Sequence, residues 1–85
     1  MRIVVIYRDA SEHGRDVESF LRDFERQTGH ALEAVDPDSK EGLSLRETYD
    51  VVEYPSILAL SDDGQMQTLW RGMPLPTISE VSFYA

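Results

Sequence analysis

The chain contains no cysteine. That excludes disulfide staples, thiolate metal ligands and thiol chemistry carried by the protein itself. It also removes cysteine usage as a guide to compartment. Long apolar runs are missing as well. Nothing approaches the roughly 18 consecutive apolar residues that a membrane-spanning helix needs. The N-terminal stretch "MRIVVIYRDA" has a basic residue before a short apolar run, yet Arg8 and Asp9 end that run with no small-residue cleavage site after it. A buried first strand is the expectation, with a cytoplasmic protein and no membrane partner.

Positive charge is scarce too. Sixteen acidic residues face eight basic ones, a net charge of −8. The excess concentrates in residues 33 to 53, where seven acids (Glu33, Asp36, Asp38, Glu41, Glu47, Asp50, Glu53) meet only Lys40 and Arg46. Such a chain repels nucleic acid phosphates and anionic lipid, so no nucleic-acid partner is expected. Solubility is the ordinary reason for the imbalance, and a basic protein or peptide partner is the sharper one.

What is present patterns clearly. Ile3 to Tyr7 is continuously apolar, as in a strand covered on both faces. Val17, Phe20, Leu21 and Phe24 then recur at i, i+3, i+4 and i+7, one stripe of an amphipathic helix. Asp9 or Ser11 is its expected cap and Gly29 its expected stop. A short strand at about Leu32 to Val35 and the turn "DPDS" follow. Ser44 and Glu47 have capping-box spacing and predict the start of a second helix containing Leu45 and Tyr49.

Ile57 to Leu60 reads as another buried strand. The "DDG" turn at 62 to 64 joins it in a hairpin to a strand over Gln65 to Arg71. Alternation along that strand groups Trp70 with Met66 and Thr68, under a helix by default or facing a partner at the sheet edge. Thr77 and Glu80 repeat the capping-box spacing and predict a final helix, with Ile78 and Val81 inward and fraying after about Ser82. The expected fold is α/β over a single domain, residues 1 to 85: β-α-β-α-β-β-α, a mixed four-stranded sheet with helices on both faces.

Pro55 breaks the pattern, because proline cannot donate to a sheet ladder. The run "YDVVEYPSILALSDDG" resembles the stretch of thioredoxin-like proteins that carries their cis-proline loop. Tyr49, Val51, Tyr54, Pro55, Ser56, Ile57 to Leu60 and Gly64 fill its places in order, and the element order is similar to that of the smaller, glutaredoxin-sized members. The resemblance implies a cis Tyr54–Pro55 bond, with Pro55 entering its strand where no ladder bond is lost. It also locates a gap. Redox members have C-x-x-C or C-x-x-S between the first strand and first helix, and this window reads "RDASEHGRD", with Ser11, Glu12, His13 and Gly14 in the matching register. A serine hydroxyl stays protonated at physiological pH, so thiol–disulfide exchange is excluded.

Other chemistries fare worse. Ser11 and His13 lack a third group to orient the imidazole and any oxyanion-hole signature, so no catalytic residue is assigned. Asp36, Asp38 and Glu47 fall at positions one, three and twelve of a calcium-loop template, yet Lys40 and Glu41 occupy a ligand position and the required glycine. His13 and His30 have no second ligand at metal spacing. No metal and no cofactor are expected. The reading is a non-redox binding or adaptor module. Its groove for an extended peptide or protein segment has walls formed by Ser11 to Gly14 and by Tyr54, Pro55 and Ser56. The alternative, implied by resemblance to the first domain of glutathione transferases, is a glutathione- or small-thiol-binding protein using Tyr7 or Ser11 to stabilise a thiolate.

Overall fold

The computed structural model describes residues 1–85. Seven elements follow in order: β1 (Arg2–Ile6), α1 (Gly14–Thr28), β2 (Glu33–Val35), α2 (Lys40–Tyr49), β3 (Ser56–Leu60), β4 (Met66–Arg71) and α3 (Ile78–Ser82). The sheet order is β2-β1-β3-β4. β1 runs parallel to β2 and antiparallel to β3, and β4 returns antiparallel to β3.

The continuous apolar runs of β1 and β3 are explained by two cores, one on each face of the sheet. Ile3, Val5, Tyr7, Ile57 and Ala59 pack with Val17 and Phe24 of α1 and Val81 of α3. Val4, Ile6, Leu58 and Leu60 point to the other face and pack with Val35, Val51 and Leu45 of α2. Each side chain wholly buried this way contributes about 1.5–3 kcal/mol by transfer scales, before ordering costs. A central pair of strands with no polar face can therefore lie only in the middle of three layers.

Helix starts differ from the expectations. α1 is capped at His13, which makes no side-chain cap bond, and neither Asp9 nor Ser11 caps it. The Ser11 hydroxyl instead donates back to the Arg8 carbonyl, which tightens the turn before the helix. α2 begins five residues earlier than expected, capped by Ser39 rather than Ser44, and the Ser39 side chain accepts from the Gly42 N–H. Ser44 lies within that helix, so its spacing to Glu47 is coincidental. Ser39 competes better because the Asp36 side chain accepts from the Asp38 N–H and shapes the turn just ahead of it. α3 does carry the capping box, Thr77 and Glu80 bonding reciprocally.

Strand alternation also fails once. Leu60 pairs with Met66 and Ala59 with Thr68, so Gln67 is an extra residue in a β-bulge. Thr68 and Trp70 remain opposite Ala59 and Ile57, but Met66 is shifted to the face of Leu60. One inserted residue reverses every side chain beyond it. After Ser82 the chain continues in a turn. Tyr84 is half-buried with its ring edge-on to Trp70, 5.6 Å between centroids, while Phe83 is 82% exposed.

Candidate functional site

Ile6 pairs with Ser56, so the loop leaving β1 and the loop entering β3 lie side by side at one end of the sheet. The Tyr54–Pro55 peptide there is cis. Pro55 precedes the strand rather than opening it, and its carbonyl accepts from the Gly72 N–H at 2.7 Å. The missing proline N–H therefore costs no ladder bond.

Pro55 and Ser56 are both fully buried. The Ser56 hydroxyl donates to the Glu53 carbonyl and holds the loop closed on itself. Tyr54 is the half-buried member of the three, and its backbone N–H and C=O have no partner within the chain. Its ring lies between two guanidiniums, with Arg8 at 5.0 Å and Arg46 at 5.7 Å from the centroid. Asp38 joins these cations, 3.2 Å from Arg8 and 3.6 Å from Arg46. Three of the seven acids in the acidic segment are thus matched internally, since Arg2 similarly binds Glu33 and Glu41.

On the other wall Glu12 is exposed and Ser11 and His13 are half-buried. His13 Nε2 is enclosed without a hydrogen-bond partner. Gly14 is buried, and a Cβ there would sit 2.2 Å from the Asp9 carbonyl oxygen. That position shapes the turn and offers no surface. Gly42 does the same for α2, where a Cβ would fall 2.0 Å from the Asp36 carbonyl oxygen. Both helices begin so close to the strand that precedes them that only glycine fits.

Tyr7 is nearly buried beside His13, 6.5 Å between ring centroids. Burial pushes its phenol up to about 12, and the Asp9 carboxylate adds to the shift. A cavity of about 230 Å³ lies among Tyr7, Asp9, Ala34, Val35 and Asp36. It opens beyond β1 and β2, on the opposite side of β1 from Tyr54. The expected wall residues therefore share one end of the sheet, but none of them except Tyr7 lines this cavity. Arg8 and Arg46, which tie Tyr54 to both flanking loops, went unrecognised. An arginine ending a strand carries no sequence mark of the ring it will cover.

The architecture is similar to thioredoxin 1 from the thermophilic eubacterium Thermosipho africanus, with a TM-score of 0.65, 17% identity, and 95% of this chain and 85% of that one covered. This chain has the thioredoxin-like fold. At that identity the likeness speaks to fold alone. No family model and no curated protein matches the sequence. No helix is long and apolar enough to cross a membrane.

Proposed function

We propose that this thioredoxin-like chain is a non-redox binding module that takes an extended segment of a partner protein along the Tyr54 backbone. The observation that carries the reading is the pair of unpartnered backbone groups on Tyr54, held beside the cis Pro55 peptide. An incoming strand can donate to that C=O and accept from that N–H, a mode of recognition that needs no cysteine. Fixing the loop in advance reduces what ordering costs on binding. The Ser56 hydroxyl bond, the Pro55–Gly72 bond and the two arginines on the Tyr54 ring all do this. Glu12 on the helix-start wall and Glu53 next to Tyr54 are exposed acids, so a segment bearing lysine or arginine is favoured.

The test is a backbone amide titration with extended basic peptides, acidic peptides and glutathione. Tyr54 and Ser11 to His13 should shift first, and only with basic peptides. No shift at Tyr54 with any peptide at millimolar concentration would refute the reading.

A further inference from the structure

The C-terminal end of α2 runs against the chemistry of a helix end. Cations suit a last turn, where they meet the negative pole of the dipole and the orphan carbonyls. Here Glu47 and the C-cap residue Asp50 stand at that pole instead. The carbonyls of Glu47, Thr48 and Tyr49 accept no hydrogen bond within the chain. Arg46, the basic residue of the last turn, has its guanidinium drawn off to the Tyr54 ring, the Pro37 carbonyl and Asp38. Neither Glu47 nor Asp50 makes an ion pair. Each of these charges costs stability that a neutral side chain would not.

Two exposed apolar side chains border the same place. Leu43, one turn back along α2, is 48% exposed, and Val52, two residues past the cap, is 74% exposed. With Arg46, Glu47, Asp50 and Val51 they line one groove of about 270 Å³. Single exposed apolar residues are ordinary, but a pair sharing a groove with unpaired carboxylates marks a contact surface. None of Tyr54, Pro55 and Ser56 lines this groove, so it is separate from the cis-proline end.

We propose that this groove docks a leucine-sized apolar side chain of a basic partner protein, carried on a segment with lysine or arginine on either side of it. The apolar side chain covers Leu43 and Val52. The flanking cations reach the Glu47 and Asp50 carboxylates and the free carbonyls at the end of α2. A cation there completes a helix end that the chain itself leaves negative. A second copy, with net charge −8, would bring more acid against Glu47 and Asp50. Arg46 does not offset this, because Asp38 already neutralises it.

The test uses a capped peptide with one leucine between pairs of lysines, its serine-for-leucine counterpart, and its glutamate-for-lysine counterpart. Only the leucine–lysine peptide should shift the amides of Leu43, Glu47, Asp50 and Val52, and the effect should fade as salt rises. Glu47→Gln combined with Asp50→Asn should weaken that peptide about fivefold, and Val52→Ser by about the same factor. Asparagine tolerates the left-handed backbone of residue 50, at φ 55°, so the fold is kept. The same double substitution should raise the urea midpoint, because it removes negative charge from the helix end. Carboxylates that served only the fold would lower it. No shift at these four residues with millimolar leucine–lysine peptide would overturn the proposal. So would an equal response there to either counterpart, or shifts confined to Tyr54 and Ser11 to His13. The same amides moving with protein concentration alone would place a second copy in the groove and overturn it too.

Discussion

The Arg8 guanidinium lies over the Tyr54 ring, 5.0 Å from its centroid, and so connects the end of β1 to the loop that enters β3. Arg46 covers the ring from α2, and its Nη1 also donates to the Pro37 carbonyl. Three segments of chain therefore meet on one aromatic side chain, and Arg46 ties a fourth, at Pro37, to them. The Tyr54 hydroxyl gains nothing from this, since it is enclosed without a hydrogen-bond partner.

An enclosed hydroxyl with no partner costs stability, whereas the ring keeps its packing and its cations without it. Tyr54→Phe should therefore be neutral or stabilising by up to about 1 kcal/mol in urea unfolding. Peptide binding through the backbone should survive it. A clear loss of stability would mean the hydroxyl has a partner in solution.

The hydrogen bond from Arg8 holds the Asp38 carboxyl below its ordinary value near 3.8, and the charges of Arg8 and Arg46 reinforce the effect. A depressed folded-state value stabilises the fold above the unfolded value. That contribution is lost as pH falls through the folded value. The cluster should therefore persist throughout the neutral range and loosen only below pH of about 4. Carboxyl carbon shifts of Asp38 followed through acid would check it, and the midpoint should rise in Arg8→Gln.

Gly14→Ala should destabilise by roughly 1–3 kcal/mol, because the new methyl meets a backbone carbonyl that cannot rotate away. Gly29→Ala has open space around it and φ of +78°, so it should cost only about 1 kcal/mol of backbone strain. Chemical denaturation of the two variants side by side would separate contact from conformation. Equal losses would remove the close-approach argument.

The sequence marked regular features and missed those set by distant partners. The apolar runs of β1 and β3, the stripe of α1 and the capping box of α3 each follow from local periodicity or spacing, and each is found. Ser44 misled because a capping box is a spacing, and Ser39 has the turn that makes a cap usable. Met66 misled because alternation presumes no bulge, and the extra Gln67 is visible only against Leu60. The loop around Pro55 was legible through resemblance. Its exposed part was not, since Ser56 and Pro55 turn inward and leave the Tyr54 backbone as the open surface.

α3 has five residues and could not persist in water without tertiary contacts. Val81, fully buried against the α1 face of the sheet, anchors it. Val81→Ala should cost roughly 2 kcal/mol, and Thr77→Ala about 1 kcal/mol through the lost cap. Trp70 reports the outcome, since Tyr84 packs edge-on against it. Its emission should shift to the red in Val81→Ala before global unfolding. Unfolding of helix and core in a single step would show that α3 does not undock by itself.

The ionisation of Tyr7 provides a test of the small-thiol alternative raised by the sequence. A phenol stabilises a bound thiolate by keeping its proton and donating a hydrogen bond to the sulfur, and it donates more strongly the lower its own ionisation value. Here burial raises the phenol from its ordinary 10.0 to about 12, with the neighbouring Asp9 carboxylate acting in the same direction. A raised folded value means the native state holds the proton more tightly than the unfolded chain. The resulting stabilisation is complete below pH 10 and is lost as pH climbs toward 12. Spectrophotometric titration of phenolate absorbance should show one of the four tyrosines ionising last, or only as the protein unfolds. Tyr7→Phe should remove that final step and make stability fall less steeply in alkali. If Tyr7 ionised below pH 9, the phenol would be suited to anion stabilisation after all, and a small-thiol ligand would become the better reading of this end of the sheet.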